Sequence, residues 1–270
     1  GTIKNAISLF DNLLVESVLI PTKSRTTACI SSQVGCSLDC DFCATSKMDR
    51  IRNLNPDEIY DQAVTINSQS IKYHNRPISN IVFMGMGEPL LNYSNVIKGI
   101  DKITSKEGLG MSPKRITVST SGISKLIIKM ADDKVKFNLA VSLHSAIEET
   151  RNKIMPFSKK FPLDELLNAI KYWFKKTGKI VTYEYIIWKG INDDLQHINA
   201  LVSYCKASPS KVNIIEYNKT ENSLFVSADD HIIDKYVYEL EKNKIPVTIR
   251  KSRGKDIDAA CGQLANKFIV

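Results

Sequence analysis

Three cysteines within eight positions constrain this sequence more than any other feature. Cys36, Cys40 and Cys43 form a CxxxCxxC array, and no fourth cysteine lies close by in the sequence. A structural zinc site closes four ligands around the ion, whereas three thiolates leave one iron of a [4Fe–4S] cube free for another ligand. The array therefore predicts a [4Fe–4S] cluster with an open iron. A zinc ion and unligated thiols are the alternatives.

The composition is that of an ordinary globular protein. The chain has 270 residues, 43% of them hydrophobic and 24% charged, which is enough for one large domain with a full core. Its net charge of +8 would attract a polyanion without identifying one. No apolar run is long enough to span a membrane, and the N-terminus lacks a secretion signal, so the sequence predicts a cytoplasmic protein without a membrane partner. In such a protein, crowded cysteines fit metal ligation better than disulfides.

Short β-rich runs alternate with amphipathic helical patterns. We predict strands at residues 26–33, 78–84, 115–120, 136–143, 180–187, 211–217 and 246–250. We predict helices at residues 56–70, 93–104, 162–177, 194–206 and 229–242. This alternation is typical of a parallel sheet with crossover helices, and strands such as 80–84 and 138–143 are apolar enough to be covered on both faces. A barrel and an open doubly wound sheet both fit, and either would collect its chemistry at the carboxyl ends of the strands.

Several predicted strands end in polar or glycine-rich sequence. The segment GMGEP supplies Gly87 and Glu88, whose carboxylate could accept hydrogen bonds from a cationic amino group. Later strand ends supply hydroxyl, imidazole and amide groups, namely Ser119, Ser142, His144 and Asn218. Any one of them alone is more typical of a strand-end cap. Because the carboxyl ends of parallel strands meet at one edge, we expect these groups to converge on one face of the sheet.

These motifs resemble the RlmN/Cfr family of radical S-adenosylmethionine (SAM) RNA methyltransferases over nearly the whole chain. The matching segments are ESVLIP, ACISSQVGC, FMGMGEPL, VSTSG, LAVSLH, IMPF, KVNIIEYN and RKSRGKDIDAACGQL. Pro89 and the segment 251–253 resemble the RlmN branch more than the Cfr branch. The resemblance implies an α/β fold, the radical SAM partial (β/α)6 barrel of mostly parallel strands. Residues 1–25 would lead into a catalytic domain at 26–270, without the helical accessory domain that family members usually carry before it.

The resemblance also implies how the cofactors are bound. The three cysteines of the array would hold the cluster, and the open iron would bind the methionyl group of SAM. The family's SAM contacts match Gly87, Glu88, Ser119, Ser142, Leu143, His144 and Asn218.

Three further residues match catalytic positions of the family. Cys261 matches the cysteine that becomes S-methylated, Cys29 matches the second catalytic thiol, and Glu16 matches the proposed proton acceptor. Two cysteines outside the cluster can open and close a disulfide during turnover. Without the resemblance, Cys29 and Cys261 would pass for buried core cysteines, as Cys205 still does.

The implied activity is methylation at C2 of an adenine, in adenosine 2503 of 23S ribosomal RNA and adenosine 37 of transfer RNA. It would use two SAM molecules per turnover, an external flavodoxin- or ferredoxin-like electron donor and a monomeric enzyme. Candidate phosphate contacts are Lys47, Arg50, Arg52, Arg250, Lys251 and Arg253. The alternatives are Cfr-like C8 methylation of the same ribosomal adenosine, a radical SAM enzyme for a peptide or small molecule, and a non-enzymatic zinc module that binds RNA.

Overall fold

The computed structural model describes residues 1–220 and 223–266 of the chain. The strands in these residues are β1 (Ile3–Ser8), β2 (Leu14–Pro21), β3 (Thr26–Cys29), β4 (Gln33–Val34), β5 (Arg52–Asn53), β6 (Asn80–Phe83), β7 (Ile116–Thr120), β8 (Asn138–Ser142), β9 (Val181–Ile186), β10 (Ser210–Ile215) and β11 (Val247–Arg250). The α-helices are α1 (Pro56–His74), α2 (Tyr93–Thr104), α3 (Ser124–Asp132), α4 (Glu148–Ile154), α5 (Leu163–Thr177), α6 (Leu195–Lys206) and α7 (Asp230–Lys242).

One sheet contains nine of the described strands, in the order β1-β2-β3-β6-β7-β8-β9-β10-β11. The first three strands pair antiparallel, and every pair from β3 to β11 is parallel. Each crossover between parallel strands passes through at least one α-helix, which gives six β/α units. The prediction of an α/β fold with mostly parallel strands is confirmed. Within the described residues the edge strands β1 and β11 do not pair, so the sheet is not a closed barrel.

Local sequence sets the bounds of the helices. The side chain of Asn55 accepts a hydrogen bond from the Glu58 N–H at 2.9 Å, and the Glu58 carboxylate accepts one from the Asn55 N–H at 2.9 Å. This capping box, with Pro56 in the first turn, fixes the start of α1. Asn75 ends the helix in the left-handed conformation, one turn beyond the predicted end. No α-helix among the described residues combines the length and apolar character needed to cross a membrane.

The two faces of the sheet have different chemistry. Residues paired across neighbouring parallel strands share a face, and the rows Val118–Leu139 and Val141–Tyr183 are apolar and fully buried. The alternate rows are polar, as in the neighbours Ser142, Glu184 and Asn213. Strand 138–143 is predicted to be covered on both faces, and Leu139, Ala140 and Val141 are fully buried, whereas Ser142 at its carboxyl end lines a cavity.

The predicted strand 26–33 consists of two separate elements. β3 ends at Cys29, and β4 pairs with β5 in a short antiparallel hairpin. Between β3 and β4, the Gln62 amide accepts a hydrogen bond from the Ser31 N–H at 2.8 Å and donates one to the Ser31 carbonyl at 3.2 Å. These side-chain bonds replace the sheet ladder at this point, so the chain turns away from the sheet directly before the cysteine array.

Candidate active site

An open cavity lies at the carboxyl ends of the parallel strands. Its empty space, counted out through the open mouth, is about 990 Å³. The predicted site residues that line it are Cys36, Cys40, Cys43, Gly87, Glu88, Ser119, Ser142, His144 and Cys261. Leu143, Asn218, Cys29 and Glu16 do not line it. The structure thus brings the cysteine array and most of the polar strand ends to one cavity.

The cysteine loop is folded by its own backbone. Gly35 has a φ of +76°, and a Cβ at this position would lie 2.0 Å from the Asp49 carbonyl oxygen, so only glycine fits. The Cys36 N–H donates to the Met48 carbonyl at 3.4 Å, and the Ser46 hydroxyl donates to the Cys43 carbonyl at 2.8 Å. These contacts fold the loop back on itself and orient its cysteines toward the cavity.

Burial is the main cause of the raised pKa values of Cys36 and Cys40 in the cysteine loop. It raises the pKa of Cys36 to about 12 and the pKa of Cys40 well above its usual range, and the neighbouring thiols and Glu88 add to both shifts. The backbone amides of Ser37 and Leu38 hydrogen-bond the Cys36 sulfur and act in the opposite direction. Isolated thiolates would therefore be costly here, whereas bound iron would stabilise them.

The donor set fits an iron–sulfur cluster. Three soft sulfur ligands on one loop, with amide donors beside them, have the chemistry of a [4Fe–4S] site.

An aromatic cluster joins the cysteine loop to His144. The Phe42 ring meets the His144 ring edge-on, with 4.7 Å between centroids, and lies 5.2 Å from the Trp188 ring. The Ile186 N–H donates to Nδ1 of His144 at 3.2 Å, which leaves any proton of the neutral ring on Nε2. Burial, aided by the charge of Arg151, lowers the pKa of His144 to about 3. His144 therefore presents a neutral imidazole to the cavity.

Glu88 is held in place by backbone donors. Its carboxylate accepts hydrogen bonds from the Ser121 N–H at 2.7 Å and the Leu90 N–H at 3.0 Å. Burial raises the pKa of Glu88, and these hydrogen bonds oppose the rise. Gly87 has a φ of +92°, and a Cβ there would lie 2.5 Å from Cβ of Gln33. Gly87 is thus required for packing against Gln33, whose side chain accepts from the Glu88 N–H at 2.8 Å.

Two predicted SAM contacts lie behind the cavity wall. Leu143 is fully buried in the core, and its N–H donates to the Glu184 carbonyl at 3.0 Å. Asn218 donates from Nδ2 to the Cys261 carbonyl at 3.2 Å. Its Oδ1 is buried and has no hydrogen-bond partner among the described residues, so it remains an available acceptor.

Cys261 lies on a C-terminal tail that packs against the cysteine loop. The Ala44 N–H donates to the Gly262 carbonyl at 2.7 Å, and the Thr45 hydroxyl donates to the Leu264 carbonyl at 2.6 Å. Cys261 keeps surface exposed to the cavity, but protein surrounds its thiol at longer range. This desolvation raises the pKa of Cys261 to about 11.

Cys29 lies at the end of β3 and interacts electrostatically with Cys261. Burial raises the pKa of Cys29 to about 12, and the negative charge of an ionised Cys261 adds to the rise, so the two sulfurs interact through space. The charge of Arg250 favours the thiolate form of both cysteines. All six cysteines are free thiols in this structure.

Glu16 is engaged in contacts outside the cavity. It is fully buried on β2, its Oε1 lies 2.9 Å from Nζ of Lys4, and its Oε2 accepts from the Ala265 N–H at 2.8 Å. The side chain of Asn266 donates to the Leu14 carbonyl at 2.7 Å. β1 and β2 therefore hold the tail that follows Cys261.

Sequence reasoning missed three polar residues of the site. Arg151 on α4 is fully buried and donates from Nη2 to the Ser121 carbonyl at 2.6 Å, which ties it to the end of β7. Asn192 donates to the His144 carbonyl at 2.8 Å. Glu184 on β9 lines the cavity. The only sequence signal for Glu184 was a charged residue inside an apolar strand.

The structure also tests two other sequence interpretations. Cys205 is buried on α6, as predicted. Arg52, a candidate phosphate contact, donates to both Asp11 and Glu58, with the shortest contact to each at 2.6 Å and 2.8 Å. Its guanidinium is therefore committed within the protein.

Comparisons with known proteins agree with this geometry. The family model of the radical SAM superfamily matches residues 30–202. A probable dual-specificity RNA methyltransferase RlmN of Flavobacterium psychrophilum is 66% identical over 269 residues, which cover 100% of this chain and 78% of the relative. The corresponding protein of Christiangramia forsetii is 64% identical over 99% of this chain and 76% of its own length. The crystal structure of a radical SAM methyltransferase from Sphaerobacter thermophilus superposes with a TM-score of 0.94 and 37% identity, covering 97% of this chain and 77% of that one.

Proposed function

Since this chain belongs to the RlmN family within the radical SAM superfamily, we propose that it methylates C2 of adenosine in RNA, with Cys261 as the carrier of the methyl group. The proposed targets are adenosine 2503 of 23S ribosomal RNA and adenosine 37 of transfer RNA. The observation that carries the proposal is the position of Cys261. A thiol that belongs to no metal array lines the same cavity as the three-cysteine loop, and a second thiol, Cys29, interacts electrostatically with it.

The enzyme uses a [4Fe–4S] cluster and SAM. We assign Cys36, Cys40 and Cys43 to the cluster, with its fourth iron open to SAM. The SAM contacts we propose are Gly87, Glu88, Ser119, Ser142, Leu143, His144 and Asn218. When bound, the cluster and SAM supply a radical that can remove a hydrogen atom from a methyl group. Methylation of adenine C2 requires such a radical because C2 has no acidic proton.

The residues of the chain have distinct proposed tasks. The Cys261 sulfur attacks the methyl group of one SAM molecule, and the S–C bond to the carrier forms as the sulfonium bond breaks. With the cluster and a second SAM bound, the radical they supply would remove a hydrogen atom from this methyl group, and the carbon would then bond to adenine C2. The adduct would have to lose one electron, which the bound cluster could take back, as well as the proton on C2. Glu16 then accepts the proton from C2. For this step the tail at Ala265 must leave the Glu16 carboxylate, to which it is hydrogen-bonded in this structure.

Release of the product is the task of Cys29. Its thiolate attacks the Cys261 sulfur, an S–S bond forms as the S–C bond breaks, and the electron pair of the S–C bond takes up a proton at the carbon, which completes the methyl group on the RNA. A two-electron reductant must then reopen the disulfide. We propose a flavodoxin- or ferredoxin-like protein as the electron donor for SAM cleavage. We also propose a monomeric enzyme in the cytoplasm, where ribosomal and transfer RNA are found.

The N-terminal strands belong to the proposed catalytic unit. We propose residues 26–270 as the catalytic domain and residues 1–25 as the strands that lead into it. The antiparallel pairing of β2 with β3, and the contacts of Glu16 with the tail, support treating both parts as one working unit.

Mass spectrometry of RNA nucleosides tests the proposal. Cluster-loaded protein, SAM, a reductant and unmodified 23S or transfer RNA should yield 2-methyladenosine. Cys261→Ala should abolish methylation while cleavage of SAM to 5′-deoxyadenosine continues. Cys205→Ala, which removes a buried cysteine from α6, is the matched control and should keep methylation. Methyl groups at C8, or unchanged methylation by Cys261→Ala, would contradict the proposal.

A further inference from the structure

Glu184 has an unsatisfied oxygen in the wall of the cavity. The residue is 3% exposed and lies on β9, in the polar row that faces the interior. Its Oε1 accepts a hydrogen bond from Nδ2 of Asn213, its register neighbour on β10, at 2.9 Å. Its Oε2 is buried and has no hydrogen-bond donor among the described residues. Such an oxygen is costly in a native protein unless a ligand supplies the missing donor.

The neighbouring groups fix Glu184 without satisfying this oxygen. Nη1 of Arg250 lies 3.8 Å from Oε2, which is too long for a hydrogen bond. Burial raises the pKa of Glu184, and the charge of Arg250 opposes this rise. Nη1 of Arg250 also lies 3.3 Å from the Met84 sulfur, so the guanidinium is held at this distance. The backbone carbonyl of Glu184 accepts from Leu143 and His144. Glu184 therefore lines the cavity with a carboxylate that is held in place and has one oxygen without a hydrogen-bond donor among the described residues.

The position of the Glu184 carboxylate indicates that its missing hydrogen-bond donor belongs to the base that receives the methyl group. Glu184 and Cys261 line the same cavity, and the negative charge of Glu184 is close enough to Cys261 to raise the pKa of that thiol. The acceptor is thus placed where the carbon carried by Cys261 would meet its target. Of the groups around the adenine ring, the 6-amino group is the hydrogen-bond donor, and the ring nitrogens are acceptors.

We infer that Glu184 accepts a hydrogen bond from the 6-amino group of the adenine that is methylated, with Asn213 and Arg250 as its positioning residues. The inference rests on the proposed function and specifies how that site selects and orients its base. The base must enter unstacked, because an amino group paired within a duplex could not reach a buried carboxylate. Adenosine would then be preferred over an otherwise identical purine that lacks the amino group.

SAM also contains an adenine, and the experiment must separate the two sources of the amino group. Two RNA hairpins are compared as substrates, one with adenosine and one with purine riboside at the target position. Values of kcat/KM are measured for the wild-type protein, Glu184→Ala and Glu184→Gln. Cleavage of SAM without RNA is measured in parallel, and it also reports whether each variant is folded and loaded. Glu149→Gln, an exposed carboxylate on α4, is the matched control.

A hydrogen bond to a charged acceptor predicts that the wild-type protein favours adenosine by about ten- to one-hundred-fold. In Glu184→Ala this ratio should fall to about one, because the variant no longer has an acceptor that distinguishes the two RNAs. An unaltered ratio in both variants would overturn the inference, as would an equal loss for both RNAs that parallels a loss of SAM cleavage. If the wild-type protein methylates neither RNA, the proposed function itself is wrong and the inference falls with it.

Discussion

The ion pair between Lys4 and Glu16 makes a sharp prediction about stability. The side chains are 7% and 0% exposed, and Nζ lies 2.9 Å from Oε1. Lys4→Met would leave the carboxylate buried without its cation, which costs about 3–5 kcal/mol. For a chain of this size, each kcal/mol lowers the melting temperature by about 2 °C, so we expect a decrease of roughly 6–10 °C.

Circular dichroism of the cluster-loaded protein under anaerobic conditions would measure this change. The double variant Lys4→Met/Glu16→Gln should recover most of the loss, because an amide carries no charge and can still accept from the Ala265 N–H. Lys153→Met, which breaks an exposed ion pair with Glu149, is the control and should leave the melting temperature unchanged. A melting temperature of Lys4→Met within about 1 °C of the wild type would refute the reasoning.

Three further predictions concern the loop, the thiols and pH. Gly35→Ala should abolish iron binding, because the added Cβ would clash with the Asp49 carbonyl. Iron per chain and visible absorbance measure this loss. Gly110→Ala is the control and should retain iron, because Gly110 also has a positive φ, +59°, but open space around it. Cys29→Ala should leave RNA covalently attached to Cys261, seen as a shifted protein band that nuclease removes; free methylated RNA would contradict the role of Cys29. Burial raises the pKa of Cys205 from 9.0 to about 12, so its stabilising contribution is present below pH 9.0 and is lost as the pH rises toward 12. The destabilisation caused by Cys205→Ala in urea unfolding should therefore shrink by about 1.4 kcal/mol per pH unit in this window, and a constant difference would contradict it.

The sequence predicts the fold well where short-range chemistry decides it. α2 has the predicted bounds, and the six parallel strands from β6 to β11 begin and end close to the predicted residues. The strand at 26–33 was predicted too long, because its interruption depends on Gln62, whose hydrogen bonds to Ser31 come from another element. α3 and α4 were missed because they are short and follow strand ends whose polar residues indicated only a loop.

The sequence predicts the part of the candidate site that follows from residue spacing and from the direction of the strands. The spacing of the cysteine array identifies its chemistry without a structure, and parallel strands explain why Ser119, Ser142 and His144 meet at one cavity. A single charged residue in an apolar strand does not disclose that one of its oxygens lacks a partner. Glu184 can therefore be identified as a site residue only from the structure, which shows its contacts with Asn213 and Arg250. Likewise, the sequence gives no sign that Glu16 contacts the tail at Ala265.

The packing of the C-terminal tail on the cysteine loop joins two segments that the ribosome synthesises at different times. Thr45 and Leu264 are 219 positions apart, yet they are joined by one hydrogen bond. The proposed methyl carrier is therefore oriented only where the cysteine loop has adopted its fold. A substitution that unfolds this loop would release Cys261 as well, so that metal binding and methyl transfer would be lost together.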